Sequence, residues 1–282
     1  MRHVGSAPRA QSRSPRRELT FPLRAPEDLS CCVVLLDRPF TETMQVDGAD
    51  AEVWLKVPGA KSPAPKLARQ LGTGFLVATD TAAFLVTAGH VARRMDAEAR
   101  LSFPGRKGRR TTLPLREVLS LGRRALAWRF HARADLAVVR MPTPPAALHG
   151  RFLDARLLRR EKTVPNATLD LTVVGFPLGL FSEKHFAPIS KRFHAASGIL
   201  QFRGEEMNQP ADFFLLDQPT MGGYSGAPVF VAPQARLSPA GDVSLVEAQC
   251  SGVVSQTISD EAGGHFAAVV PSALIRGLIA RC

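Results

Sequence analysis

Residues 220–230 read TMGGYSGAPVF, with Ser225 in the pattern Gly-x-Ser-Gly-x-Pro inside an apolar run. Glycine, serine and proline are the residues that form turns, so a turn serine is one interpretation of this stretch. A nucleophile loop is the other interpretation. A serine hydroxyl attacks a carbonyl when a base removes its proton and preplaced donors stabilise the oxyanion. The choice between the two interpretations therefore depends on whether a base and a carboxylate for Ser225 occur elsewhere in the chain.

The glycines around Ser225 suit a nucleophile loop. Gly223 can turn its N–H toward a developing negative charge, because glycine adopts backbone conformations that other residues avoid. The N–H of Ser225 supplies a second donor. Gly226 has no Cβ and leaves room for a substrate and a base.

Two candidate partners of Ser225 lie at the ends of predicted strands. His90 follows two apolar runs in residues 72–92, GTGFLVATDTAAFLVTAGHVA, and Asp135 precedes the apolar run of residues 136–141. Taken singly, His90 is typical of a capped surface residue and Asp135 of a strand-edge turn. The order His90, Asp135, Ser225 is that of chymotrypsin and differs from the orders of subtilisin and the α/β-hydrolases. The three together favour a catalytic interpretation.

The stretches around these three residues resemble the motifs of a known family. Three stretches are similar to the catalytic motifs of trypsin-like serine peptidases of the chymotrypsin fold: TAGHV (87–91), ADLAVV (134–139) and GYSGAPV (223–229). The strand motif Gly72-Thr73-Gly74-Phe75 and the segment VVGFPLGL (173–180) are most similar to bacterial HtrA-like and stand-alone peptidases without a PDZ domain. The resemblance extends from about Cys31 to Ile279.

The resemblance implies an all-β fold of two antiparallel six-stranded β-barrels with a short C-terminal helix. It also implies a serine endopeptidase that acts on protein or peptide substrates. Ser225 would be the nucleophile, His90 the general base and Asp135 the group that orients the imidazole. The amides of Gly223 and Ser225 would form the oxyanion hole, and the reaction requires no metal or organic cofactor.

The family pattern also suggests substrate-binding residues. The segment Ser251-Gly252-Val253-Val254-Ser255 resembles the strand that pairs with extended substrate, so Ser255, Gln256 and Thr257 should form one wall of the subsite. Pro219 and Thr220 correspond to the floor of the specificity pocket, and His265 is a further polar candidate. Because Pro219 and Thr220 carry no charge, the residue before the cut is expected to be uncharged.

One departure from the family concerns activation. The residue before the nucleophile is commonly Asp or Asn, whereas here it is Tyr224. Animal trypsins order this loop by pairing that carboxylate with a new terminal ammonium. Tyr224 is neutral at pH 7, so the loop is expected to be ordered in another way.

Length and composition fit one peptidase domain. The 282 residues, 45% of them hydrophobic, can bury a large core. We expect a basic, disordered N-terminal segment over 1–27 and a peptidase domain over 28–282. Within it, the expected divisions are a first barrel (about 28–141), a linker (142–168), a second barrel (about 169–270) and a C-terminal helix (271–281).

Short apolar runs separated by Gly, Pro and charged clusters predict the strands. Those of the first barrel are Cys32–Asp37, Gly74–Ala78, Ala83–Thr87, Arg100–Phe103, Ala125–Phe130 and Leu136–Met141. Those of the second are Leu169–Gly175, Ala195–Phe202, Phe213–Asp217, Ala227–Val231, Leu245–Ser255 and Phe266–Val270.

The charge and the cysteines bear on partners and compartment. The formal net charge is +11, which favours acidic surfaces and leaves open an acidic regulatory partner protein. Specific nucleic-acid binding is not expected, because no nucleic-acid-binding motif is present. Four cysteines without a disulfide framework and no apolar run long enough to cross a membrane favour the cytoplasm. Organellar import through the basic N-terminal segment is the alternative.

Two other functions remain open. A catalytically silent trypsin-fold protein-binding module would keep the fold without turnover. A basic nucleic-acid-associated protein would show affinity that falls steeply with salt.

Overall fold

The computed structural model describes most of the chain from residue 26 onward. The described residues are 26–41, 43–46, 49–52, 54–55, 64–65, 67–122, 124–182, 184–204, 207–231, 234–237, 243–246, 248–260 and 265–282. The predicted N-terminal segment 1–27 therefore lies almost entirely outside the described residues.

The first sheet is antiparallel apart from one short parallel pairing, and it is built from the first half of the described chain. Its eight described strands are β1 (Val33–Thr41), β2 (Leu67–Ala78), β3 (Ala83–Thr87), β4 (Arg100–Pro104), β5 (Arg110–Pro114), β6 (Arg129–Phe130), β7 (Ala137–Met141) and β8 (Leu153–Asp154). Their order is β6-β7-β3-β2-β1-β4-β5, and β8 pairs in parallel with β2. Strand β8 lies within the stretch predicted as the linker.

The second sheet is antiparallel and follows in sequence. Its seven described strands are β9 (Leu171–Gly175), β10 (Ile189–Phe193), β11 (Leu200–Phe202), β12 (Ala211–Leu216), β13 (Pro228–Val231), β14 (Gln249–Ser259) and β15 (His265–Pro271). They are arranged as β10-β9-β13-β14-β15-β12-β11.

Helices are few among the described residues. They are α1 (Gly89–Arg93), α2 (Leu115–Val118) and the C-terminal α3 (Ser272–Ile279). Short 3₁₀ helices cover Pro26–Cys32, Arg106–Gly108, Ala146–Leu148, Ala155–Leu157 and Pro177–Gly179. Three two-stranded hairpins lie outside the main sheets: Thr43–Val46 with Ala49–Glu52, Trp54–Leu55 with Ala64–Pro65, and Gln234–Leu237 with Val243–Val246.

The predicted fold class is confirmed, with two antiparallel β-barrel units and a short C-terminal helix. In the described part of the chain, each main sheet has six strands of four or more residues, supplemented by shorter ones. Several individual strands were predicted wrongly. Strands β5 and β10 were missed, β6 is only the end of the predicted Ala125–Phe130, and the predicted Ala195–Phe202 is a strand only over Leu200–Phe202.

These errors have one physical reason. Strands β5, β6, β10 and β11 are the ends of their sheets, so they pair on one side only. Their sequences RTTLP, RF, ISKRF and LQF carry polar or exposed side chains. An edge strand therefore lacks the apolar run by which a central strand is recognised.

Strand alternation divides the buried side chains among three clusters. Along β1, Val34 and Leu36 pack inside the first barrel, while Val33 and Leu35 point to the opposite face and join a cluster shared by both sheets. We call this second group the inter-barrel cluster. It includes Phe75, Val86 and Leu136 from the first sheet and its loops, and Phe176, Phe213, Phe230 and Val253 from the second sheet and its loops. A third cluster fills the second barrel and contains Tyr224.

Candidate active site

Strand pairing brings His90 and Asp135 together. Strands β3 and β7 are antiparallel with Ala137 opposite Thr87, so the end of β3 and the start of β7 lie side by side. His90 follows β3 at the start of α1, and Asp135 precedes β7. The register of one strand pair therefore joins two residues that are 45 positions apart in the chain.

Asp135 holds His90 by two hydrogen bonds. The backbone N–H of His90 donates to Oδ1 of Asp135 at 2.8 Å, and the imidazole Nδ1 lies 2.7 Å from Oδ2. Gly89 permits this approach, because a Cβ at this position would lie 2.9 Å from Oδ1. The ring is thereby oriented with Nε2 turned away from the carboxylate.

Asp135 also binds a serine of the second barrel. The hydroxyl of Ser255 on β14 donates to Oδ2 of Asp135 at 2.7 Å. Burial raises the pKa of the Asp135 carboxyl, but hydrogen bonds from His90 and Ser255 and the charge of His90 together hold that pKa below its ordinary value. The carboxylate is therefore ionised at neutral pH although it is buried.

Ser225 lies in a tight loop between β12 and β13 that rests on the first barrel. Gly226 has φ of 85°, and a Cβ there would overlap the carbonyl oxygen of Thr73 and the hydroxyl of Thr87. The hydroxyl of Ser225 donates to the carbonyl of Ser255 at 3.2 Å. Within the described residues it forms no hydrogen bond with His90, so a side-chain rotation separates this state from a Ser225–His90 hydrogen bond.

Two backbone amides of this loop are available as donors. Gly223 has φ of 93°, in the region that favours glycine. Among the residues that the structure describes, no acceptor takes a hydrogen bond from the N–H of Gly223 or of Ser225. Both N–H groups can therefore bind an oxygen beside Ser225.

A cavity of about 360 Å³ opens between the two barrels at Ser225. It is lined by His90, Arg94, Asp135, Met207, Thr220, Met221, Gly222, Ser225, Ser255, Gln256 and Thr257. The predicted substrate residues Thr220, Ser255, Gln256 and Thr257 are thus on its wall. Pro219 and His265 are not among the lining residues: the Pro219 carbonyl accepts a hydrogen bond from Lys191, and His265 is exposed at the start of β15.

Four lining residues were not identified from the sequence. Arg94 directly follows α1, four positions after His90, a spacing from which it could have been inferred. Met221 and Gly222 belong to the quoted loop but carried no chemical signal. Met207 lies in a segment without a motif.

Tyr224, the residue before Ser225, packs in the protein core. Its side chain is buried in the cluster that fills the second barrel, and its hydroxyl donates to the carbonyl of Ile189 at 3.3 Å. Burial raises the pKa of Tyr224, so the residue next to Ser225 is neutral at physiological pH. The nearby Asp217 is directed to His194, whose backbone N–H it accepts at 2.9 Å.

The described part of the chain holds no candidate metal site and no candidate membrane-spanning helix. No group of three or more His, Cys, Asp or Glu side chains there could hold a metal ion. None of its helices is both long and apolar enough to cross a membrane. No disulfide joins any two of the four cysteines, all of which are described, and burial raises the pKa of Cys250 to about 12.

Known proteins resemble the chain in sequence profile and in fold. The family profile described as "Trypsin-like peptidase domain" matches residues 72–237. The HtrA-type protease AlgW, solved with a decapeptide, is 16% identical with a TM-score of 0.52, covering 89% of this chain and 65% of that one. The scabies mite inactivated protease paralogue S-I1 is 12% identical with a TM-score of 0.52, covering 90% and 97%.

These comparisons differ in what they establish. At 16% and 12% identity, the likeness to the solved structures concerns the fold alone. The chain spans less than two thirds of the length of the AlgW chain. No curated protein matches it in sequence.

The ionised state of Asp135 makes stability depend on pH. Because its pKa is lowered on folding, its contribution to stability is present above the ordinary value of 3.8 and is lost as the pH falls through the folded pKa. We expect Asp135→Asn to lower the free energy of unfolding at pH 7. An amide has one acceptor oxygen, so it cannot accept the backbone N–H of His90 at one position and the His90 ring and Ser255 hydroxyl at the other. The difference from wild type should shrink below about pH 4, as measured by urea unfolding from pH 7 to 3.

The exposed Asp80 provides the control for this titration. Asp80→Asn should change the free energy of unfolding little across the same range. A difference between Asp135→Asn and wild type that stays constant from pH 7 to 3 would contradict the lowered pKa.

The backbone at Gly226 predicts a second effect on stability. Gly226→Ala combines positive φ with overlap on Thr73 and Thr87, so we expect it to destabilise the fold by more than about 2 kcal/mol. Gly198→Ala is the control, because a Cβ at Gly198 meets nothing within 4 Å. Urea unfolding measures both. Equal stability of the two variants would be inconsistent with the packing of the loop.

Proposed function

The chain belongs to the family of trypsin-like peptidases, and from this premise we propose that it is a serine endopeptidase. It would hydrolyse peptide bonds of a restricted set of proteins through His90, Asp135 and Ser225. The observation that carries the proposal is the hydrogen-bonded pair His90–Asp135 beside Ser225 on the wall of one cavity.

The catalytic cycle follows from the positions of these groups. Ser225 Oγ leaves the Ser255 carbonyl, rotates toward His90 Nε2 and attacks the scissile carbonyl while His90 takes its proton. The tetrahedral intermediate expels the amine, which receives that proton from His90, and an acyl-enzyme remains on Ser225. Water, deprotonated by His90, then attacks the ester, and His90 returns that proton to the departing Ser225 Oγ as the acid is released. Asp135 fixes the imidazole tautomer and stabilises the imidazolium throughout.

The oxyanion hole would use the amides of Gly223 and Ser225. Negative charge develops on the carbonyl oxygen in each tetrahedral intermediate, and a preplaced donor is worth about 3 kcal/mol there. The absence of an intramolecular acceptor for either N–H, within the described residues, supports this role. The burial of Tyr224 and the hydrogen bond from its hydroxyl to the Ile189 carbonyl support a loop that is ordered without a terminal ammonium.

The fold by itself does not decide between turnover and binding. One structural neighbour is a protease solved with a decapeptide, and another is an inactivated protease paralogue. A catalytically silent protein-binding module is therefore the alternative from another class. The complete set of His90, Asp135 and Ser225 favours the enzyme.

The proposal also covers the compartment, the regulatory partner and the substrates of the peptidase. We place the peptidase inside the cell because no disulfide joins its four cysteines, which suits a reducing compartment. The net charge of +11 makes an acidic protein the expected regulatory partner. Substrates are proteins or extended peptides that pair with the segment Ser255, Gln256 and Thr257.

A fluorophosphonate probe tests the proposed chemistry. The probe phosphonylates an activated serine, so wild type should be labelled at Ser225 and Ser225→Ala should not. His90→Ala and Asp135→Ala should each slow labelling by several orders of magnitude. Their combination should cost little more than His90→Ala alone, because the three residues act as a unit. Labelling rates and the labelled peptide are measured by mass spectrometry.

The control for this experiment is Ser251→Ala, a buried serine on β14 outside the triad. It should be labelled like wild type. A folded wild-type protein that is never labelled would refute the enzyme and favour the binding module. Purely additive losses would refute the triad.

The charges of the cavity predict the residue before the cut. Asp135 is the only carboxylate among the described lining residues, and its oxygens are bonded to His90 and Ser255. Arg94 adds a positive charge. An incoming Arg or Lys would find no counter-ion, so we expect a library of peptide substrates to show an uncharged residue at this position. Dominant Arg or Lys would contradict this prediction.

A further inference from the structure

Thr73 lies on β2, in the first barrel, yet most of its polar contacts are with the second. It is fully buried. Its backbone N–H donates to the carbonyl of Ser225 at 2.9 Å, and its hydroxyl donates to the carbonyl of Gly223 at 2.7 Å. The same hydroxyl accepts the N–H of Phe176 at 3.0 Å. One side-chain oxygen therefore joins the nucleophile loop to the segment that follows β9.

That segment holds the peptide preceding Gly223. The N–H of Leu178, two residues after Phe176, donates to the carbonyl of Gly222 at 2.6 Å. In a trans peptide the C=O and the N–H point in opposite directions. With the Gly222 carbonyl bound to Leu178, the N–H of Gly223 is directed away from Leu178 and is left for the oxyanion.

The peptide following Gly223 is fixed as well. Its carbonyl accepts from Thr73, and its N–H, that of Tyr224, donates to the carbonyl of Met221 at 3.1 Å. Gly223 has no side chain that could restrict its own rotation. Its φ of 93° is thus set by the hydrogen bonds on either side.

We propose that Thr73 is a positioning residue for the oxyanion hole. Its hydroxyl fixes the carbonyl of Gly223 directly and, through Phe176, aligns the segment from which Leu178 binds the carbonyl of Gly222. Without this hydroxyl, the peptide between Gly222 and Gly223 can rotate and turn its carbonyl oxygen, in place of the N–H, toward the substrate. The inference rests on the proposed serine endopeptidase chemistry.

The space around Thr73 fits this role. Gly175 has no Cβ, and a Cβ there would come within 2.9 Å of the Thr73 hydroxyl. On the other side, the Thr87 hydroxyl donates to the carbonyl of Thr73 at 2.7 Å and steadies the strand. Thr87 makes no hydrogen bond to the nucleophile loop within the described residues, so it provides a matched buried threonine for comparison.

The test compares Thr73→Ser with Thr73→Ala, which differ only by the hydroxyl. Hydrolysis of p-nitrophenyl acetate gives kcat and KM, and the fluorophosphonate labelling rate of Ser225 gives an independent measure. We expect Thr73→Ala to lower kcat and the labelling rate by on the order of a hundredfold with KM within about threefold, the loss expected for one oxyanion donor. Thr73→Ser should stay within about threefold of wild type, because it restores the same hydrogen bonds.

Thr87 is the control position for this test. The pair Thr87→Ser and Thr87→Ala should differ in thermal midpoint but keep kcat within about threefold of each other. If Thr73→Ala does not fold, Thr73→Val replaces it, since valine retains the shape of threonine. Failure of both to fold would overturn the proposal, because the hydroxyl would then serve the fold.

Two further results separate this inference from the proposed function. A folded wild-type protein without Ser225 labelling would remove the proposed function itself. Normal labelling of wild type together with equal kcat in Thr73→Ala and Thr73→Ser would overturn only the role of Thr73.

Discussion

The candidate site depends on the close approach of the nucleophile loop to the backbone of Thr73. Gly226 sits where any Cβ would overlap the Thr73 carbonyl, so the loop of the second barrel packs directly against a strand of the first. Thr73 then binds the carbonyls of Ser225 and Gly223. Since His90 and Asp135 belong to the first barrel and Ser225 to the second, this contact sets the distance between the nucleophile and the other two groups.

The inter-barrel cluster supplies the apolar support for that contact. Alternate residues of β1, β2 and β3 face the second sheet, so each of these strands contributes to two cores at once. Burial of this shared apolar surface favours one docking of the two barrels. The polar residues His90, Asp135, Ser225 and Ser255 lie at the edge of this cluster, where one cavity remains open.

Hydrogen bonds, more than solvent exposure, determine the protonation state of the Asp135 carboxyl in the site. Asp135 is buried, which by itself favours the neutral acid, yet its contacts with His90 and Ser255 keep it ionised. Tyr224 contributes no charge beside the nucleophile, since burial keeps its phenol protonated. The cavity consequently contains one engaged carboxylate and the positive Arg94 among its described lining residues.

The sequence by itself determined the fold class. It also identified His90, Asp135 and Ser225 as candidate site residues, because each of the three lies in a motif beside an apolar central strand. Their catalytic roles stay a prediction. Edge strands β5 and β10 could not be predicted from the sequence, since solvent-facing strands lack an apolar pattern. Only the tertiary structure decided that Met207 lines the cavity while Pro219 and His265 do not, because loop packing sets side-chain direction. It alone also brought Thr73 to Gly223, 150 positions away, since no local pattern encodes a hydrogen bond between two barrels.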